Sequence, residues 1–235
     1  KENIMGLFGK LFGGDEQQTQ APAANTPIQT VSTEGREVTL DLNKGGMLNL
    51  AKNDFLNLSK TDFSLENIRV SAGWDVKTSF FGSDFDLDLC AFLLDASGHL
   101  TRSVNGLVYF GKKKSQGIQL DHDNLTGAGD GDDENMFVNF NNIHPDVAQI
   151  VVAVVIYSGK NRKQYFGQVK NAYVRLVDQA QRPEKEIARF NLSEDGGKAT
   201  AVKFAELTRT VNGWTFKAVG EYLNASIQDI EKSYR

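Results

Sequence analysis

The sequence predicts an all-β protein: a β-sandwich of two packed, mainly antiparallel sheets with a C-terminal helix, preceded by a flexible N-terminal tail. Three observations carry this. From residue 36 onward, short alternating or continuous apolar runs recur, separated by Gly, Asn and Asp turns. Residues 150–157 form a near-continuous Val/Ile run, the pattern of a strand covered on both faces or of a sandwich core. Asn212-Gly213 separates two strand-like segments, a strong hairpin signal. A chain of 235 residues, 40% hydrophobic and 24% charged, has enough material for a large β domain with a proper core.

Taken in order, residues 1–35 read as a tail and linker. Within residues 5–14 (MGLFGKLFGG), Leu7, Phe8, Leu11 and Phe12 would share one face of a short helix. That segment is either a small anchor for a partner or membrane surface, or a frayed apolar end weakened by glycine. Residues 15–34, rich in Gln, Thr, Ala and Pro, have little to bury and read as linker. The domain itself spans residues 36–235. Residues 38–42 alternate as a strand, Gly45-Gly46 turns, and Met47 begins the next strand. Residues 68–76 contain Gly73-Trp74-Asp75. Residues 84–94 follow as a strand with Asp86 and Asp88 on one side and Phe85, Leu87 and Leu89 on the other. Two like charges at a strand's start either share a cation or guard an exposed sheet edge.

Residues 107–110 and 117–120 flank a basic turn, Lys112-Lys113-Lys114. Gly106, Gly111 and Lys112 approach a phosphate-loop pattern, but Lys113 stands where Ser or Thr is required and the interior is strand-like. Further strand material lies at residues 136–140, 150–157, 166–178, 187–192, 202–211 and 214–219. Residues 220–234 place Leu223, Ile227 and Ile230 at helical spacing and predict the closing helix.

The chemistry concentrates between residues 121 and 134, which carry six carboxylates, three glycines and no Lys or Arg. Removing those six charges from the formal net of −4 leaves +2, so the negative charge is local. Two unit charges about 6 Å apart repel by roughly 1 to 3 kcal/mol, so a folded loop of this kind needs a counter-charge or stays open and solvated. Glycine at 127, 129 and 131 lets the backbone turn tightly, and the run joins strands. Carboxylate, amide and carbonyl oxygens suit hard divalent cations, and ligands from two segments suit the six to eight oxygens of calcium better than magnesium. An EF-hand is excluded: counting from Asp121, Leu125 and Thr126 fall at positions 5 and 6, and counting from Asp130, Asn135 replaces the required glycine. Zinc is disfavoured, because Cys90, His99, His122 and His144 are dispersed. The predicted metal ligands are Asp75, Asp86, Asp88, Asp123, Asn124, Asp130, Asp132, Asp133 and Glu134, and the predicted ion is Ca2+.

These residues resemble the tellurium-resistance TerD family. The resemblance rests on Gly73-Trp74-Asp75, on Asp84-Phe85-Asp86-Leu87-Asp88, and on the run from Asp123-Asn124-Leu125-Thr126-Gly127 to Asp130-Gly131-Asp132-Asp133-Glu134. Phe166-Gly167-Gln168-Val169, Asn191-Leu192-Ser193-Glu194-Asp195 and Phe216-Lys217-Ala218-Val219-Gly220 are similar to later family blocks. His122 departs from the family's glycine before Asp123. The resemblance implies a calcium-binding β-sandwich, cytoplasmic in bacteria, acting with protein partners in stress response and tellurite resistance.

Composition agrees with that expectation. A pI near 5.5 argues against nucleic acid as a general partner, and a single cysteine fits a reducing compartment. No nucleophile elbow, Ser/His/Asp order or dinucleotide fingerprint emerges, so the chain is read as a non-enzyme. The alternatives are calcium-dependent docking to an anionic membrane surface at the inner face of the membrane, and a metal-dependent phosphohydrolase. The linker reading predicts complete amide exchange before Arg36 at the earliest time point of a hydrogen-exchange experiment; slow exchange there contradicts it.

Overall fold

The structure, a computed structural model, describes residues 35–38, 47–58, 65–75, 85–121, 131–180, 182–192 and 196–235. The predicted tail through residue 34, and the predicted strand beyond residue 38, lie outside the described residues. Thirteen strands are described. They are β1 (Leu48–Asn49), β2 (Phe55–Asn57), β3 (Asn67–Asp75), β4 (Leu87–Leu94), β5 (Leu107–Val108), β6 (Lys114–Ser115) and β7 (Ile118–Leu120). Then come β8 (Glu134–Asn139), β9 (Gln149–Ile156), β10 (Lys170–Asp178), β11 (Lys185–Asn191), β12 (Ala201–Thr210) and β13 (Gly213–Leu223). A one-turn helix, α1 (Gly159–Arg162), follows β9, and α2 (Ile227–Ser233) closes the chain.

The strands form two sheets, ordered β1-β11-β10-β3-β8-β7-β6 and β2-β13-β12-β9-β4-β5. Pairing between the described strands is antiparallel except for β1 with β11. The period-2 alternation of side chains builds the core between the sheets. Leu87, Leu89, Ala91 and Leu93 of β4, Ile150, Val152, Val154 and Ile156 of β9, and Ile68, Val70, Ala72 and Trp74 of β3 all face inward.

A second apolar layer explains the unbroken Val/Ile run. Cys90, Phe92, Val151, Ala153 and Val155 face the opposite way, and Ile227 and Ile230 of α2 cover them together with Leu100, Leu107 and Phe110. Strand β9 is therefore buried on both faces, as its composition predicts. Ser226 caps α2 reciprocally: its hydroxyl accepts from the Asp229 backbone N–H at 3.2 Å, and Asp229 accepts from the Ser226 N–H at 2.9 Å. A seven-residue helix is marginal alone, so the apolar contact of Ile227 and Ile230 holds it in place.

Several boundaries differ from expectation. Residues 220–223 continue β13 instead of opening the helix, because Glu221, Tyr222 and Leu223 find partners in Lys203, Val202 and Ala201 of β12. Gly220, at φ +61°, absorbs the register shift that this continuation requires. The β12–β13 turn is Val211-Asn212, one residue earlier than the Asn-Gly pair, with Gly213 at φ +121° opening β13. Strand β10 starts at Lys170, because the Phe166 and Gly167 N–H groups donate to the carbonyls of Ala199 and Gly197. Strands β2 and β6 have no clear sequence signal.

Phe204 is fully buried in the inter-sheet core. Phe204→Ala should lower unfolding stability by roughly 3–5 kcal/mol through cavity formation, read as a lower urea midpoint at unchanged slope.

Candidate metal centre

Glu134 of β8 reaches across from its sheet to the backbone of β4, next to the buried Asp88. The Tyr157 N–H donates to the Asp86 carbonyl at 2.8 Å, so the backbone groups of Asp86, Asp88 and Cys90 point toward β9. Those of Leu87, Leu89 and Ala91 point the other way, toward β5. Strand β5 pairs only with Ala91 and Phe92, so the Leu89 N–H lies beyond its end. Glu134, the first residue of β8 in the opposite sheet, fills that place: its Oε2 accepts from Leu89 N at 2.5 Å. A buried backbone donor needs a partner, and here a carboxylate from the facing sheet supplies one.

The neighbouring residue is held as firmly. Asp133 Oδ2 accepts from the Trp74 N–H at 2.9 Å, while its own N–H donates to the Ala72 carbonyl at 2.9 Å. Asp86, Asp88, Asp133 and Glu134 are only 7%, 3%, 4% and 1% exposed, which places four carboxylates in the interior. Burial raises the pKa of the Cys90 thiol well above its ordinary value, and the charges of Asp88 and Glu134 push it further. Those two carboxylates, from opposite sheets, thus act on the same buried atom.

Asp132 faces elsewhere. Arg175 grips both of its oxygens, Nε to Oδ1 at 2.8 Å and Nη2 to Oδ2 at 2.7 Å. Arg69 adds a contact at 3.2 Å and the Tyr173 hydroxyl one at 3.1 Å. Arg175 and Arg189 also pair with Glu186, Arg69 pairs with Glu184, and the Arg189 guanidinium lies 4.0 Å over the Tyr173 ring. This lattice covers the outer face of the first sheet. Gly73 permits it: a Cβ there would stand 2.5 Å from the Tyr173 ring.

Of the nine ligands expected from sequence, the structure buries Asp86, Asp88, Asp133 and Glu134, with Asp88 and Glu134 both acting on the Cys90 thiol, Asp133 beside Glu134 in the chain, and Asp86 on the same strand face as Asp88. Asp132 is committed to two arginines and a tyrosine in this structure. Asp123, Asn124 and Asp130, and the side chain of Asp75, lie outside the described residues. Among the described residues, no three acidic, His or Cys side chains group closely enough to hold one ion. Sequence reasoning missed Arg69, Tyr173 and Arg175, although Tyr173 and Arg175 stand two apart on one strand face, which was a usable signal.

The class these features define is a two-sheet β-sandwich whose acidic segment ties one sheet to the other at a buried carboxylate corner. The chain belongs to the TerD family: the TerD domain model matches residues 47–234. It is 40% identical over 184 residues to the tellurium resistance protein TerD of Alcaligenes sp, covering 78% of this chain and 90% of that one. It is 37% identical over 172 residues to general stress protein 16U of Bacillus subtilis (strain 168), covering 72% and 88%. The fold is shared with a crystal structure of a TerD homologue from Streptomyces coelicolor A3(2), at a TM-score of 0.59 and 24% identity over 70% of this chain and 94% of that one.

Burial opposes the charge on Asp132, but the Arg175 hydrogen bonds and positive charge outweigh it and hold the carboxyl below its ordinary pKa. A depressed carboxylate stabilises the fold above its unfolded pKa of about 4, and that contribution is lost as pH falls through the folded value. Arg175→Ala should therefore cost roughly 2 kcal/mol at pH 7 and flatten the acid limb of the stability–pH curve below about pH 4. Urea titrations of both proteins from pH 2 to 7 check this; parallel curves contradict it.

Proposed function

We propose that this chain is a calcium-binding module of a bacterial stress-response and tellurite-resistance system, acting through calcium-dependent contacts with partner proteins. The observation that carries the reading is the burial of four carboxylates, Asp86, Asp88, Asp133 and Glu134, two of which act on the same Cys90 thiol. Withdrawing a carboxylate from water costs several kcal/mol even after relaxation, and a bound cation offsets that cost. The donors are hard oxygens, the chemistry that calcium takes in sets of six to eight. Asp86, Asp88, Asp133 and Glu134 would hold the ion with the sequence-predicted Asp75, Asp123, Asn124 and Asp130. The ion would supply charge neutralisation and cross-link the acidic segment to β4. Asp132, already neutralised by Arg175 and Arg69, would anchor that segment to the first sheet. The names of the relatives, tellurium resistance and general stress proteins, support the system to which the module is assigned.

Calcium at 100 times its Kd should add about 2.7 kcal/mol of stability, seen as a raised Tm that a chelator reverses. Asp88→Asn combined with Glu134→Gln should weaken calcium by at least about tenfold in calorimetry, since two charged ligands are lost. A double variant that titrates like the wild type, or a wild type indifferent to calcium, overturns the reading. Partner proteins retained on the immobilised chain with calcium should be released by EGTA.

A further inference from the structure

The chain has two tryptophans, Trp74 and Trp214, both buried in the core between the sheets. They stand at opposite ends of β8. Trp74 lies beside its first residue, Glu134, while Trp214 stacks on Phe140, just past its last, with ring centroids 5.2 Å apart. The two differ in one respect. The Trp74 indole Nε1 is shut off from solvent and, among the described residues, has no hydrogen-bond partner. A buried indole N–H ordinarily finds an acceptor, because a donor withdrawn from water without a replacement loses its bond for no return. Trp74 is not loosely held: only 4% of it is exposed, and its backbone N–H donates to Asp133 Oδ2 at 2.9 Å. The orphan is the indole nitrogen alone.

Strand register places that nitrogen's side chain among the acids. Ala72 of β3 pairs with Glu134, so Trp74, two residues on, is the diagonal neighbour of Glu134 on the same face. Such neighbours stand about 7–8 Å apart, within reach of aromatic and long side chains. Both side chains enter the space between the sheets: Glu134 reaches the Leu89 N–H, and Trp74 belongs to the inter-sheet core. Asp133, bonded to the Trp74 backbone, and Asp75, next in the chain, are two further ligands expected from sequence. We propose that Trp74 is a positioning residue of the metal centre: calcium brings the acceptor that the indole N–H lacks, an oxygen of the ion's coordination shell. Calcium gathers six to eight oxygens, water among them, and groups that hydrogen-bond those oxygens orient them and tighten the metal's hold. A core position needs only a ring of the right size; the N–H is what the ion uses. The inference rests on the calcium reading and adds to it a residue that supplies neither charge nor ligand atom.

The test is nitrogen–proton NMR of the two indole N–H groups of the full chain during a calcium titration, with calorimetry reporting binding separately. The Trp74 indole proton should move downfield in step with calcium saturation and exchange more slowly with solvent, as a donor does on gaining an acceptor. Trp214, at the other end of β8, should stay still. Trp74→Phe keeps an aromatic ring and removes the N–H, and should weaken calcium about tenfold in calorimetry. A purely structural role for Trp74 predicts something else: equal loss of stability in calcium and in EGTA, with calcium affinity unchanged. Calcium binding beside a stationary Trp74 indole, or wild-type affinity in Trp74→Phe, overturns the inference and leaves the proposed function standing. A wild type indifferent to calcium overturns both. If Trp74→Phe fails to fold, the indole resonance of the wild type decides alone.

Discussion

The hydrogen bond from the Leu89 N–H to Glu134 fixes the geometry on which the rest depends. A two-sheet sandwich is held mainly by apolar side chains, whose contact is non-directional. A charge-assisted bond between a backbone donor of one sheet and a side chain of the other is directional, and roughly twice as strong as a neutral one. It sets where the first residue of β8 must sit against β4. Because the donor sits beside Asp88, it also draws negative charge into the interior. Asp133, one residue earlier, bonds the Trp74 N–H of β3 within its own sheet. The corner is thereby ordered and acidic together.

Three consecutive acids have three different environments. Asp132 joins the arginine lattice on the outer face of the first sheet, Asp133 binds the backbone of β3, and Glu134 points between the sheets. Strict alternation would put Asp132 and Glu134 on one face; β8 begins only at Glu134, and the irregular chain before it turns Asp132 outward. One anchors the acidic segment outside, the others inside.

Much of this was legible in the chain itself. The alternation of Asp86-Leu87-Asp88-Leu89 placed the carboxylates and the apolar residues on the sides where they lie, and the Val/Ile run of β9 announced double burial. Local patterns report local faces. The extension of β13 through Leu223 was not legible, because Leu223, Ile227 and Ile230 suit a helix as well as a strand that bends at Gly220, and only pairing with β12 decides between them. The fate of Asp132 was hidden for a similar reason: Arg69 and Arg175 are 63 and 43 residues away, and no local signal joins them.

The central claim is that the buried carboxylates of β4 and β8 answer to one kind of ion while Asp132 does not. Carboxylate-detected NMR of the full chain during a calcium titration observes this directly. The account predicts that the side-chain carbons of Asp86, Asp88, Asp133 and Glu134 move together and saturate, with Asp132 unmoved beside Arg175. Carboxyl signals at the corner that stay still through millimolar calcium, or a shift confined to Asp132, would contradict it.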